Sequence, residues 1–243
     1  MTPMARHLKI LFVGAELAPF AKVGGLGEVL FALPRAMRGL GHDVRAVVPN
    51  YASVARKKYT VTVVAENLKV GGKEPDPYGL TTSNVLMHEG KETGVTYFLE
   101  NMEYYEKRAN VYGYIDDTAR WVLLCRGVIE FLRVSDWVPD VIVANDWATG
   151  FLPNLLRTEY RHDPVVSDIP VVFLIHNLRN QGMFDAHFIK ETDKDSGTTP
   201  VPGVLGKGLS KLNGMRRGIM YADLMSTVSP TYAKEILTAE FGE

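Results

Sequence analysis

The sequence predicts an α/β protein with a mostly parallel sheet flanked by helices. Short apolar runs that read as strands alternate with helical patterns. Several of those runs are continuous, as in Leu8 to Ala15 and Val171 to Ile175, and a glycine-rich turn follows the first of them. A strand covered by helices on both faces needs such a continuous run, and strands alternating with helices favour parallel pairing.

Leu8 to Ala15 is the first strand. Lys22-Val23-Gly24-Gly25-Leu26-Gly27-Glu28 follows as a turn, and the spacing of Leu26, Val29, Leu30, Leu33 and Met37 predicts a helix from about Gly25 to Leu40. Gly39-Leu40-Gly41-His42 closes that helix with glycine at the C-terminal position. Val44 to Val48 is the second strand. Between Tyr59 and Leu99 the pattern changes to short alternating segments, Val61 to Val64 and Val95 to Phe98, broken by Gly71 to Pro77; an antiparallel insertion or edge is expected there. The alternation then resumes with a helix near Thr118 to Arg133, a strand from Val141 to Ala144, a helix after Trp147 and the strand Val171 to Ile175. Leu224 to Val228 is the last strand, followed by a helix with Ser229 as N-cap and Pro230 at its first position.

With 243 residues, 46% of them hydrophobic, the chain can bury a sizeable core as one large domain or two small ones. Lys and Arg number 27 against 28 Asp and Glu, a formal net charge of -1, which gives no bulk attraction to nucleic acid or an acidic membrane. The single cysteine, Cys125, excludes an intramolecular disulfide and fits a reducing compartment; a disulfide-free secreted protein would also satisfy that count. The apolar run after Met1 to Lys9 is interrupted by Glu16 too soon for a signal peptide or membrane span. A cytoplasmic protein is expected.

The first turn has the makings of an anion site. Gly24 and Gly25 remove Cβ atoms where backbone amides would approach an anion, a helix N-terminus stands behind them, and Lys22 adds a full cation. A glycine pair at a strand-to-helix turn also serves tight packing, and both alternatives stand at this level. Neither Gly-x-Gly-x-x-Gly nor a Gly-x-x-x-x-Gly-Lys-Ser/Thr motif occurs, which weakens dinucleotide and ATP readings. Gly203 to Gly208 echoes the latter but lacks the Ser/Thr and a preceding strand, and reads as loop.

Glu16-Leu17-Ala18-Pro19 with Lys22-Val23-Gly24-Gly25-Leu26-Gly27-Glu28-Val29 resembles the opening of bacterial glycogen synthases and plant starch synthases, glycosyltransferase family five. The similarity continues in order through Tyr112-Gly113-Tyr114, Asn145-Asp146-Trp147, His176 to Gly182, Tyr221-Ala222-Asp223 and Thr227 to Ile236. The resemblance implies that residues 1–243 are one Rossmann-like, acceptor-binding domain, the N-terminal half of a GT-B type two-domain enzyme. The C-terminal nucleotide-sugar domain would then lie outside this chain. It further implies retaining transfer of glucose from ADP-glucose or UDP-glucose to the non-reducing-end 4-hydroxyl of an α-1,4-glucan, without metal or other cofactor. Two other classes stay in view: a non-catalytic glucan- or phosphosugar-binding module, and a sucrose- or trehalose-forming transferase of the same two-domain fold.

By that resemblance Lys22, Gly24 and Gly25 contact the donor diphosphate, and Glu16 and residue 28 face the acceptor and sugar side of the cleft. Glu28 departs from the usual aspartate, and a first-turn carboxylate serving the helix dipole is the alternative for it. His176, at the carboxyl end of a buried strand where open α/β sheets place their crevice, is expected to contact the transferred glucose, with Asn177 and Gln181 beside it. Trp147 can stack on a sugar ring and Asp146 can accept hydroxyls of the acceptor, the alternative being Trp147 as core filler and Asp146 as N-cap of the next helix; Ala148 stands where most relatives carry histidine, so a ring contact would be lost. Tyr112 and Tyr114 offer flat faces and hydroxyls for carbohydrate. Asp193-Lys194-Asp195 resembles a metal-binding Asp-x-Asp, but no strand aims it, and no metal site is expected.

Overall fold

A computed structural model gives the fold and describes residues 6–54, 59–71, 81–182, 194–204, 206 and 208–242. In chain order the elements are β1 (Lys9–Val13), α1 (Gly25–Gly39), β2 (Asp43–Pro49), β3 (Thr62–Val70), β4 (Thr81–Gly90), β5 (Gly94–Glu100), α2 (Asp117–Val134), β6 (Val141–Asn145), α3 (Phe151–Arg157), β7 (Val171–Ile175), α4 (Gly214–Tyr221), β8 (Leu224–Thr227) and α5 (Pro230–Glu235). Among the described residues the strands form one sheet in the order β3-β4-β5-β2-β1-β6-β7-β8.

From β5 to β8 every neighbouring pair in that order is parallel, with Phe12 of β1 opposite Ala46 of β2 on one side and Val143 of β6 on the other. The central strands are buried on both faces, which is the physical reason their sequences run continuously apolar. β3 and β4 add an antiparallel edge against β5, in the region where the alternating pattern predicted one. β4 itself carries Thr81, Thr82, Ser83 and Asn84 at its start and gives no period-2 apolar signal, so the sequence did not announce it. Gly72 to Pro77 of the predicted break lie outside the described residues.

Gly41 takes a left-handed backbone (φ +92) just beyond α1, as its position after the helix demands. At the far end, Ser229 Oγ accepts the Tyr232 amide at 3.0 Å and Pro230 opens α5, so that predicted cap forms. The long α2 is buried along nearly all its length and packs against α3, which packs in turn against α4. Rings such as Phe12, Phe98, Trp121, Phe151 and Phe173 fill the core, each contributing roughly 1.5–3 kcal/mol of burial free energy.

This topology also places a site. From β1 the chain steps to β2 on one side of the sheet, and it returns through α2 to β6 on the other side of β1. The carboxyl ends of β1 and β6 therefore flank a topological switch point, where connections diverge and leave a crevice.

Candidate active site

A cavity of about 760 Å³ opens at that switch point, beyond the carboxyl ends of β1, β6 and β7. Glu16, Gly24, Gly25, Tyr112, Asp146, Trp147, His176, Asn177 and Gln181 all line it, so residues spread over most of the sequence converge on one cavity. Leu26 and Val29 of α1, Asp117 and Thr118 of α2, and Arg179 complete much of the wall.

Glu16 organises the glycine turn. Its Oε2 accepts the amides of Val23 at 2.6 Å and Gly24 at 2.8 Å, and its Oε1 accepts the Tyr112 hydroxyl at 2.9 Å. The carboxylate is buried, so these bonds replace its hydration. An anion already holds the first amides of the turn, and the Gly24 amide predicted for a phosphate is engaged by Glu16. The amides free for a ligand begin at Gly25, in the first turn of α1.

Lys22 and Glu28 form an ion pair with each other, 48% and 55% exposed, and neither lines the cavity. Both stand at the first turn of one helix, where a loop lysine and a first-turn carboxylate fall within reach. The local electrostatic alternative therefore holds for Glu28. Tyr114 likewise stays out of the cavity: its hydroxyl accepts the Asn110 amide at 2.9 Å, and its ring lies 5.0 Å from the guanidinium carbons of Arg108 and Arg120.

Tyr112, Trp121 and Trp147 pack as an aromatic group, with Tyr112 and Trp147 centroids 6.2 Å apart and Trp121 edge-on to Trp147 at 5.9 Å. Burial pushes the Tyr112 phenol well above its ordinary range, and the neighbouring Glu16 adds to this, so the hydroxyl stays protonated and donates. Gly182, at φ +81, lies against the Trp147 ring so closely that a Cβ there would stand 2.2 Å from it. Part of Trp147 is thus covered by the chain itself. Ala148 is buried, with its carbonyl 3.7 Å from Cys125 Sγ, and does not line the cavity.

Asp146 adopts φ 61, ψ 179, a conformation that costs a non-glycine residue about 1–3 kcal/mol. Its amide donates to Leu174 of β7 at 2.9 Å, its carbonyl accepts the Thr149 amide at 3.0 Å, and its carboxylate accepts the Trp147 amide at 2.9 Å. Burial raises its carboxyl to about 7; the amides of Trp147 and Asn177 oppose that rise and Glu16 reinforces it. Burial lowers His176 to about 4, with Glu16 acting the other way, so its ring is neutral at pH 7. A strained carboxyl raised towards neutrality and a neutral imidazole lining one cavity mark a place prepared for ligand chemistry.

Gln181 is held from behind. Asn213 Nδ2 donates to its Oε1 at 2.5 Å, Asn213 caps α4 at the Arg216 amide, and the Asn213 amide donates to Asp195 at 2.8 Å. Asp195 is buried in a two-pronged ion pair with Arg217, both contacts at 2.8 Å. That pair engages both carboxylate oxygens of Asp195; Asp193 lies outside the described residues. Sequence reasoning gave Asn145 no role of its own, although it opens the Asn145-Asp146-Trp147 block, and missed Asn213 and Arg217, because nothing local shows which distant residue a polar side chain will meet.

The starch synthase catalytic domain family matches residues 9–243 of this chain. The chain belongs to that family. A glycogen synthase of Geobacillus thermodenitrificans is 39% identical over 238 residues, spanning 97% of this chain and 47% of the relative. A glycogen synthase of Lacticaseibacillus casei is 40% identical over 247 residues, with 97% and 48% covered. Among solved structures, the catalytic domain of Starch Synthase IV from Arabidopsis thaliana, bound to ADP and acarbose, superposes with a TM-score of 0.78 at 27% identity, covering 98% of this chain and 48% of that one. The starch synthase family member described here thus spans about half the length of the relatives it matches.

Proposed function

We propose that this chain is the acceptor-binding lobe of a retaining glucosyltransferase. In this reading the whole enzyme moves glucose from ADP-glucose or UDP-glucose to the non-reducing-end 4-hydroxyl of an α-1,4-glucan, and a second Rossmann-like domain supplies the nucleotide pocket. The observation that carries it is the convergence of Glu16, Asp146, Trp147 and His176 on one cavity at the switch point of a family member. The ADP and acarbose bound to the Arabidopsis relative favour the adenine donor and a glucan-like acceptor. The protein is read as cytoplasmic; among the described residues no helix is long and apolar enough to cross a membrane.

Each residue has a role in that reaction. Amides from Gly25 onward face the departing diphosphate at the positive end of α1, and Lys22 can exchange Glu28 for a phosphate as charge develops there. His176, neutral at the end of β7, contacts the transferred glucose. Asp146, poised near neutrality, accepts hydroxyls of the acceptor, and the exposed part of Trp147 receives a sugar face. The test is incorporation of labelled glucose into glycogen by a form carrying the second domain, with ADP-glucose and UDP-glucose compared, beside the 243-residue chain. The longer form should be active and the 243-residue chain nearly inert. A longer form that binds glycogen but transfers no glucose from either donor would leave only a binding module.

A further inference from the structure

His176 follows β7 and Asn145 ends β6, one strand over, and their side chains meet: Nε2 of His176 lies 3.1 Å from Oδ1 of Asn145. The other end of the amide is committed. Asn145 Nδ2 lies 3.0 Å from the carbonyl of Val13 and 3.0 Å from that of Val143, and carbonyl oxygens only accept. Turning the amide over would press its oxygen against two oxygens at a side chain that is 0% exposed. Both amide hydrogens are therefore spent on β1 and β6, and Oδ1 faces the ring. An amide oxygen cannot donate, so the facing ring nitrogen must carry the hydrogen.

We propose that Asn145 is a positioning residue that fixes His176 as the Nε2-protonated tautomer, making Nδ1 an acceptor for a hydroxyl of the bound sugar. Among the described residues the ring's hydrogen bond is made at Nε2, and His176 lines the cavity. A bare nitrogen repels phosphate oxygens and attracts hydroxyl hydrogens, so His176 reads the sugar rather than the diphosphate. The charged and titratable groups sharing the cavity are Glu16 after β1, Tyr112, Asp117 of α2, Asp146 after β6 and Arg179 after β7. Glu16 favours the doubly protonated ring, but burial outweighs it and the ring is neutral at pH 7. The hydroxyl ligand rests on the glucan-synthase reading; the tautomer does not.

Nitrogen-15 NMR of the histidine-labelled 243-residue chain at pH 7 tests it without substrate, with His176→Gln identifying the signal. The expected spectrum has a protonated Nε2 whose hydrogen exchanges slowly with water and an unprotonated Nδ1. A proton on Nδ1, a doubly protonated ring, or an Nε2 hydrogen exchanging as fast as in free histidine overturns the proposal. Asn145→Ala should give a mixture of tautomers and faster exchange in a chain that remains folded by circular dichroism; an unchanged single tautomer there would show that Asn145 is not the cause. If the alanine variant does not fold, the wild-type spectrum still decides. Failure of the NMR test leaves glucosyl transfer untouched. A correct tautomer whose Nδ1 shift ignores maltooligosaccharide and ADP-glucose in an active longer form removes the hydroxyl ligand alone.

Discussion

The carboxylate of Glu16 and the phenol of Tyr112, 96 positions apart in the chain, are joined by a 2.9 Å hydrogen bond across the cavity. Because the other oxygen of Glu16 holds the amides of Val23 and Gly24, one side chain links the glycine turn to the aromatic wall. Glutamine at 16 can keep this linkage, its carbonyl accepting both amides and its NH2 donating to the phenol oxygen. Alanine strands three donors. Glu16→Ala should lose about 2–4 kcal/mol and Glu16→Gln much less, measured by urea unfolding. Equal stability of the two variants would contradict the linkage.

Asp146 and His176 act oppositely on stability as pH changes. Asp146 titrates near 7 folded against 3.8 unfolded, so the folded state holds a proton the unfolded state has released, and this contribution is lost as pH rises from about 4 to about 7. His176 titrates near 4 folded against 6.5 unfolded, so its contribution is present above 6.5 and lost as pH falls towards 4. The slopes offset each other in the wild type between about 4 and 6.5. In Asp146→Asn, stability should climb with pH across that window; in His176→Gln it should decline. Melting temperatures recorded against pH for both variants check the signs, and parallel profiles would refute the assignment.

Breaking the Arg217–Asp195 pair leaves a buried charge uncompensated, so Arg217→Met should cost about 3–5 kcal/mol in urea unfolding. Adding Asp195→Asn should recover part of that loss. No recovery in the double variant would mean that the arginine acts through packing alone.

Glycines separate into those that pack and those that do not. A Cβ on Gly150 would stand 1.8 Å from the Gly214 carbonyl oxygen, so Gly150→Ala must push α4 away from the turn that carries Trp147 and should cost at least about 2 kcal/mol. Gly39, with nothing within 4 Å of its Cβ position, should gain about 0.4–1 kcal/mol as alanine. Thermal unfolding distinguishes them, and a stabilising Gly150→Ala would show that the close approach does not occur.

By itself the sequence determined the α/β class, the parallel centre of the sheet, the antiparallel edge, the closing glycine of α1 and the Ser229-Pro230 cap. Each of these is written in short-range periodicity or in residues next to a chain reversal. It also marked most of the cavity wall, since Glu16, Asp146 and His176 stand directly after apolar runs, and residues at strand carboxyl ends face the crevice. Tertiary structure alone decided what those groups touch. Lys22 turned to Glu28, Tyr114 to two arginines and Ala148 to the core, and Asn145, Asn213 and Arg217 gained their roles, because hydrogen bonds between distant segments depend on which strands become neighbours. Strand order is fixed by packing over the whole chain, and no local window of sequence contains it.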